Sequence, residues 1–207
     1  MEYLRSGQNC GIADTSLTVM CSWRRWGAVD ADLSAILLDS GRRVRGDADF
    51  VFYNQPSSVD DAVRHVGKRA GDDRVEDRIS IELASVAHDV QMVAVVVSVD
   101  GDPAATVASL ANLDIAILDA ADRPVVGFRM PTLTTETAVV CVEVYRRDAG
   151  WKVRAVGQGY QDGLAGLARD FGVTVDDEPT APAPQPAALG APVIDWTNPP
   201  VPAGYEL

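Results

Sequence analysis

The sequence predicts a mainly β protein: a β-sandwich of two antiparallel sheets, with one or two short helices near the C-terminus of the domain. Three observations carry this expectation. Short apolar segments alternate with period two, turn-forming residues separate them at close intervals, and a single stretch with helical periodicity follows the last of them.

Ser16–Trp23 alternates apolar and polar residues, as a half-buried strand does. Leu33–Asp39 and Phe50–Asn54 read as short strands divided by Ser40-Gly41, a turn dipeptide in which glycine tolerates positive φ. Ile79–Leu83 alternates cleanly, and the Val-rich run Val90–Val99 suits a central strand buried on both faces. Ala111–Leu118, Ala138–Arg146 and Lys152–Tyr160 complete the set. The helix is expected over Gln161–Phe171, where Leu164, Leu167, Ala168 and Phe171 share one face and Gly172 supplies a stop. A lone helix after the last strand is expected to pack on the sandwich edge.

The boundaries read as a domain over residues 1–176 and a Pro/Ala-rich tail over 177–207. Most of the 12 prolines fall between Pro179 and Pro202, a composition too poor in apolar residues to fold and suited to an extended, disordered linker. Two aromatics, Trp196 and Tyr205, stand out in that tail and are candidates for partner binding.

Acidic residues outnumber basic ones by 30 to 18, for a net charge of −12. Such a field argues against nucleic acid or anionic membranes as partners and favours cations. The three cysteines are widely spaced without a C-x-x-C pair, which fits buried thiols in a reducing compartment. No secretory signal is read at the N-terminus, and the longest apolar run, around Met92–Val97, is too short to span a bilayer. The expectation is a soluble, cytoplasmic protein.

Chemistry concentrates in two Asp-x-Asp pairs. Asp30-Ala-Asp32 and Asp47-Ala-Asp49 each precede an apolar run, and side chains two apart on a strand share a face. Two such pairs at the ends of neighbouring strands would make an oxygen-rich site of the kind calcium takes. No twelve-residue EF-hand loop is present, so separate loops would have to supply the ligands. Asp72, Glu76 and Asp77 are possible additions. Gly157, Gly159 and Gly163 lack the dinucleotide-binding spacing and read as a tight strand-to-helix corner. Arg146, Arg147, Lys152 and Arg154 form a basic cluster read as a solvated strand face, with a docking patch for an acidic partner as the alternative. No nucleophile constellation emerges, Cys141 lying inside an apolar strand, and the chain is not expected to be an enzyme.

Three separated motifs stand out: Gly7-Gln8-Asn9 with Asp32-Leu33-Ser34-Ala35, then Gly46 to Gln55, then Tyr145 to Val173 with Gly150-Trp151-Lys152-Val153-Arg154 and Asp170-Phe171-Gly172. Together they resemble the TerD family of tellurium-resistance and general stress proteins. The resemblance implies a β-sandwich, calcium binding through acidic loops at one end, partners within the stress system and no catalytic reaction. One departure bears on the metal. Lys68-Arg69 follows His65-Val66-Gly67 where the family carries Asp-Asn, and Arg74-Val75-Glu76-Asp77 replaces Gly-Asp-Asp-Glu. Two functions are therefore carried forward. One is a calcium-binding stress protein acting as sensor or assembly component. The other is an interaction module in which Lys68 and Arg69 satisfy the carboxylates and the tail does the binding.

Overall fold

The computed structural model describes residues 1–25, 29–100 and 104–172. The tail, with Trp196 and Tyr205, lies outside the described residues.

Twelve strands follow in chain order: β1 (Glu2–Leu4), β2 (Asn9–Ile12), β3 (Ser16–Arg24), β4 (Asp30–Leu38), β5 (Phe50–Val51), β6 (Val63–Ala70), β7 (Arg74–Glu82), β8 (Met92–Asp100), β9 (Asp114–Leu118), β10 (Pro124–Arg129), β11 (Ala138–Arg147) and β12 (Gly150–Tyr160). They form two six-stranded sheets, in the orders β1-β10-β9-β3-β7-β6 and β2-β12-β11-β8-β4-β5. All pairings are antiparallel except β1 with β10. Among the described residues one α-helix, α1 (Gly163–Phe171), follows. Among the described residues no helix is long and apolar enough to cross a membrane.

Alternate residues of each sheet meet in the core: Leu17, Val19, Cys21 and Trp23 from one, Leu33, Ala35, Val93 and Val95 from the other. A second apolar cluster lies on the outer face of the second sheet. There Leu167 and Phe171 of α1 cover Ile36, Leu38, Ala94, Val96, Ala138 and Val140. The helix thus packs on a sheet face rather than on the edge. This explains why β4, β8 and β11 read as continuous apolar runs, since both of their faces are buried. Gly172 ends α1 in the left-handed region at φ 78°, with its N–H on the carbonyls of Ala168 and Arg169.

A register shift between Val140 and Val142 of β11 resets its alternation. Cys141 and Val142 both enter the inter-sheet core, and Glu143 is turned to the outer face with its neighbour Arg154.

The expected elements are present with two differences. The strand expected over Phe50–Asn54 stops at Val51, because Phe52 and Gln55 exchange backbone hydrogen bonds in a tight turn. Four strands were not anticipated: β1, β2, β6 and β10. β1 and β6 lie at the edges of one sheet and β2 at an edge of the other; β1 and β2 are only three and four residues long, and in β6 charged residues interrupt the apolar alternation. β10 begins at a proline that reads as a turn.

Candidate functional site

Because β5 pairs with β4 only at Ala35 and Ile36, the first half of β4 has no strand partner on that side. Side chains from the opposing sheet close this gap. Asp77, on the inner face of β7 and fully buried, accepts hydrogen bonds from the Leu33 N–H at 3.0 Å and from the Arg78 N–H at 2.9 Å. His65 Nε2 stands 2.8 Å from the other side of the same carboxylate, outside good hydrogen-bond alignment.

Lys68 of β6 reaches the same edge. Asp30 and Asp32 do share a face, and the point at which they converge is the Lys68 ammonium. Its Nζ donates to Asp30 Oδ2 and to Asp32 Oδ1, each at 2.9 Å, and lies 5.9 Å from the centroid of the Trp23 ring. Partial burial opposes the charge on Lys68, but its two carboxylate partners outweigh burial and hold its pKa above the ordinary lysine value.

The other sequence candidates do not join them. Asp47 and Asp49 lie on a 3-10 turn, not on a strand, so their side chains diverge: Asp47 is exposed and Asp49 is buried. Arg45 secures Asp49, its backbone N–H at 2.8 Å and its Nε at 2.9 Å from Oδ2, while its Nη1 reaches Asp89 at 2.7 Å. Phe50 pairs with Ile36, so the chain before it runs toward the C-terminal end of β4. At about 3.3 Å per residue, that is roughly 20 Å along the strand from Asp30. The expectation of two Asp-x-Asp pairs at one point is therefore corrected by strand register. Asp72 is exposed in the β6–β7 turn, and Glu76 pairs with Arg78 at 3.1 Å. Arg69 is exposed and makes no ion pair among the described residues.

Calcium takes six to eight oxygen ligands. Among the described residues no three or more acidic, histidine or cysteine side chains gather in a way that could hold a metal ion. Asp30 and Asp32 already hold the Lys68 ammonium, and Asp49 and Asp89 the Arg45 guanidinium. Among the described residues the donor set does not fit a calcium ion. The replacement of Asp-Asn by Lys68-Arg69 signalled this in the sequence, whereas the pairing of Arg45 with Asp49 had no sequence signal beyond proximity.

The buried thiols fit the role of small hydrophobes. Cys21 and Cys141 are fully buried, and burial, followed by the neighbouring Cys141, pushes the Cys21 thiol well above its ordinary value. Of the three glycines expected at a strand-to-helix corner, only Gly163 stands there, at the start of α1, whereas Gly157 and Gly159 lie within β12, Gly157 at the register shift opposite Val140 and Val142. Gly157 and Gly163 take positive φ, at 74° and 62°, and Gly159 lies against the side chain of Glu136.

Known proteins agree with this architecture. The tellurium resistance protein TerD of Serratia marcescens is 37% identical over 151 residues, which cover 70% of this chain and 78% of that protein. General stress protein 16U of Bacillus subtilis (strain 168) is 28% identical over 155 residues, covering 70% and 79% respectively. A solved homologue of telluride resistance protein (TerD) from Streptomyces coelicolor A3(2) superposes with a TM-score of 0.62 at 16% identity, covering 75% of this chain and 96% of that one, which is a likeness of fold. The TerD domain matches residues 2–171, and the chain belongs to the TerD family.

Proposed function

We infer that this chain is a non-catalytic component of a tellurium-resistance and stress-response system, with the acidic edge of its sandwich held by Lys68 in place of a calcium ion. The carrying observation is the Lys68 ammonium at 2.9 Å from both Asp30 and Asp32. The stress assignment rests on the names of the relatives.

Magnitudes support the exclusion of calcium. A divalent ion ~4 Å from an ammonium is repelled by about 8 kcal/mol at an effective dielectric of 20, and each carboxylate at that distance attracts it by about the same amount. With Lys68 in place, the Asp30–Asp32 pair offers a net attraction of only one carboxylate, too little to dehydrate calcium. The edge is then ordered in every calcium condition, and the protein acts as a constitutive assembly component. Partner recognition in this reading extends to the tail, with Trp196 and Tyr205 as its anchors.

Calorimetric titration of the chelator-stripped protein with calcium, then magnesium, tests this. The expected result is no calcium-specific heat up to about 1 mM, the weak end of protein calcium sites, and a melting temperature indifferent to chelator. Saturable calcium binding with a raised melting temperature would establish the sensor reading instead. Lys68→Asp with Arg69→Asn should then tighten it further.

A further inference from the structure

The outer face of the second sheet carries a built basic cavity. Arg42, from the turn after β4, joins Arg147 of β11 and Lys152 and Arg154 of β12 around a space of about 450 Å³, with Tyr145 and Asn9 in its wall. The lining holds four cations and no carboxylate, in a chain whose net charge is −12.

Behind this lining lies Glu143, 1% exposed and turned to the same face by the register shift in β11. Both of its oxygens are engaged. Oε1 accepts from Arg42 Nη2 at 2.7 Å, and Oε2 accepts from Arg154 Nε at 2.9 Å and from Arg154 Nη2. Glu143 therefore neutralises one guanidinium and fixes two. Arg154 is further braced over the Tyr145 ring, its Cζ 5.8 Å from the centroid. Arg42 Nε and Arg154 Nη1 are left without acceptors among the described residues, and Arg147 and Lys152 make no ion pair there. Arg146, sequence neighbour of this group, plays no part. It stacks on Trp151 at 4.3 Å and donates to the carbonyls of Val86 and Val90.

We propose that this cavity binds a small phosphate-type polyanion carrying two or more negative charges. Two guanidinium groups held rigid by a buried carboxylate present their remaining N–H groups at little further entropy cost, the arrangement that suits planar recognition of oxyanions. Arg147 and Lys152 add charge that no ion pair among the described residues offsets. The overall negative field repels anions elsewhere on the molecule, so the cavity is a local exception rather than part of a general basic surface.

The test is calorimetric titration of the full chain with inorganic pyrophosphate and, in a second arm, with a nucleoside diphosphate, against sodium chloride at matched ionic strength. Saturable binding of pyrophosphate is expected. Arg147→Ala with Lys152→Ala, both free of intramolecular ion pairs, should weaken it by about tenfold or more. Arg24→Ala with Arg25→Ala, a loss of equal charge elsewhere, should leave it unchanged. Equal affinity in the two arms assigns the site to the phosphate groups alone, and tighter binding of the nucleotide adds an organic moiety seated against Tyr145. Absence of saturable binding in either arm, or equal weakening by both double substitutions, overturns the proposal.

Discussion

The carboxylate of Asp77 in one sheet accepts the backbone N–H of Leu33 in the other at 3.0 Å, so a fully buried acid of β7 completes the exposed edge of β4. It serves two backbone donors at once, the second from Arg78. Asp77→Ala leaves both donors unpaired in a buried setting and should cost about 2–4 kcal/mol. Asp77→Asn, which keeps one acceptor oxygen, should cost less. Urea unfolding followed by Trp fluorescence reads both, and equal stability of wild type and Asp77→Ala would refute a closing role for this side chain.

Lys68 makes stability depend on pH in the alkaline range. Its folded pKa is raised, so its contribution is fully present below the unfolded lysine value of about 10.4 and is lost as pH rises through the higher folded value. Lys68→Met removes the contribution and leaves Asp30 and Asp32 to repel each other. The expected deficit is about 1 kcal/mol at neutral pH, shrinking with added salt. The gap between wild type and variant should close above pH ~10.4. A gap that is constant from neutral to strongly alkaline pH would mean that Lys68 acts through packing.

Asp60 gives the opposite dependence. Burial raises its pKa, but hydrogen bonds from Ser58 Oγ and from the N–H groups of Ala87 and Ala62 outweigh burial and lower it below the usual carboxylate value. Stability from these bonds is present above about pH 3.9 and is lost as pH falls through the lower folded value. Acid titration of unfolding should show Asp60→Asn less steeply destabilised than wild type below pH ~3.9.

The thiols should separate by burial. Cys21 and Cys141 are fully buried, and Cys10 is intermediate with a thiol pushed upward by its partial burial and by Glu2. A thiol reagent at neutral pH should label Cys10 slowly and the other two only after unfolding. Fast labelling of all three in the native protein would contradict the sandwich core.

Leu167→Ala should cost about 2–4 kcal/mol, since the side chain is fully buried between α1 and the outer face of the second sheet. Circular dichroism should show the helical signal lost before the β signal, because α1 touches the sandwich through this cluster.

The fold was legible because periodicity reports burial. Strands buried on both faces, such as β8, appear as apolar runs, and α1 as a stripe of Leu164, Leu167, Ala168 and Phe171. The edge strands β1, β2 and β6 were not legible, β1 and β2 because they are too short to show a period and β6 because charged residues interrupt its alternation. The candidate site was half legible. Asp30 and Asp32 share a face because strand geometry is local, and the sequence alone determined that much. The resemblance to the TerD family added that Lys68 stands where the family's motif is acidic. Which groups meet across the sandwich was decided by register between strands distant in the chain. Tertiary structure carried Asp47 and Asp49 to the far end of β4, brought Lys68 to Asp30 and Asp32, and turned Glu143 outward beneath Arg42 and Arg154. Side-chain direction follows local rules, but the partner at the end of each side chain depends on pairings between strands distant in the chain, such as β2 with β12, and on contacts such as Arg42 with Glu143.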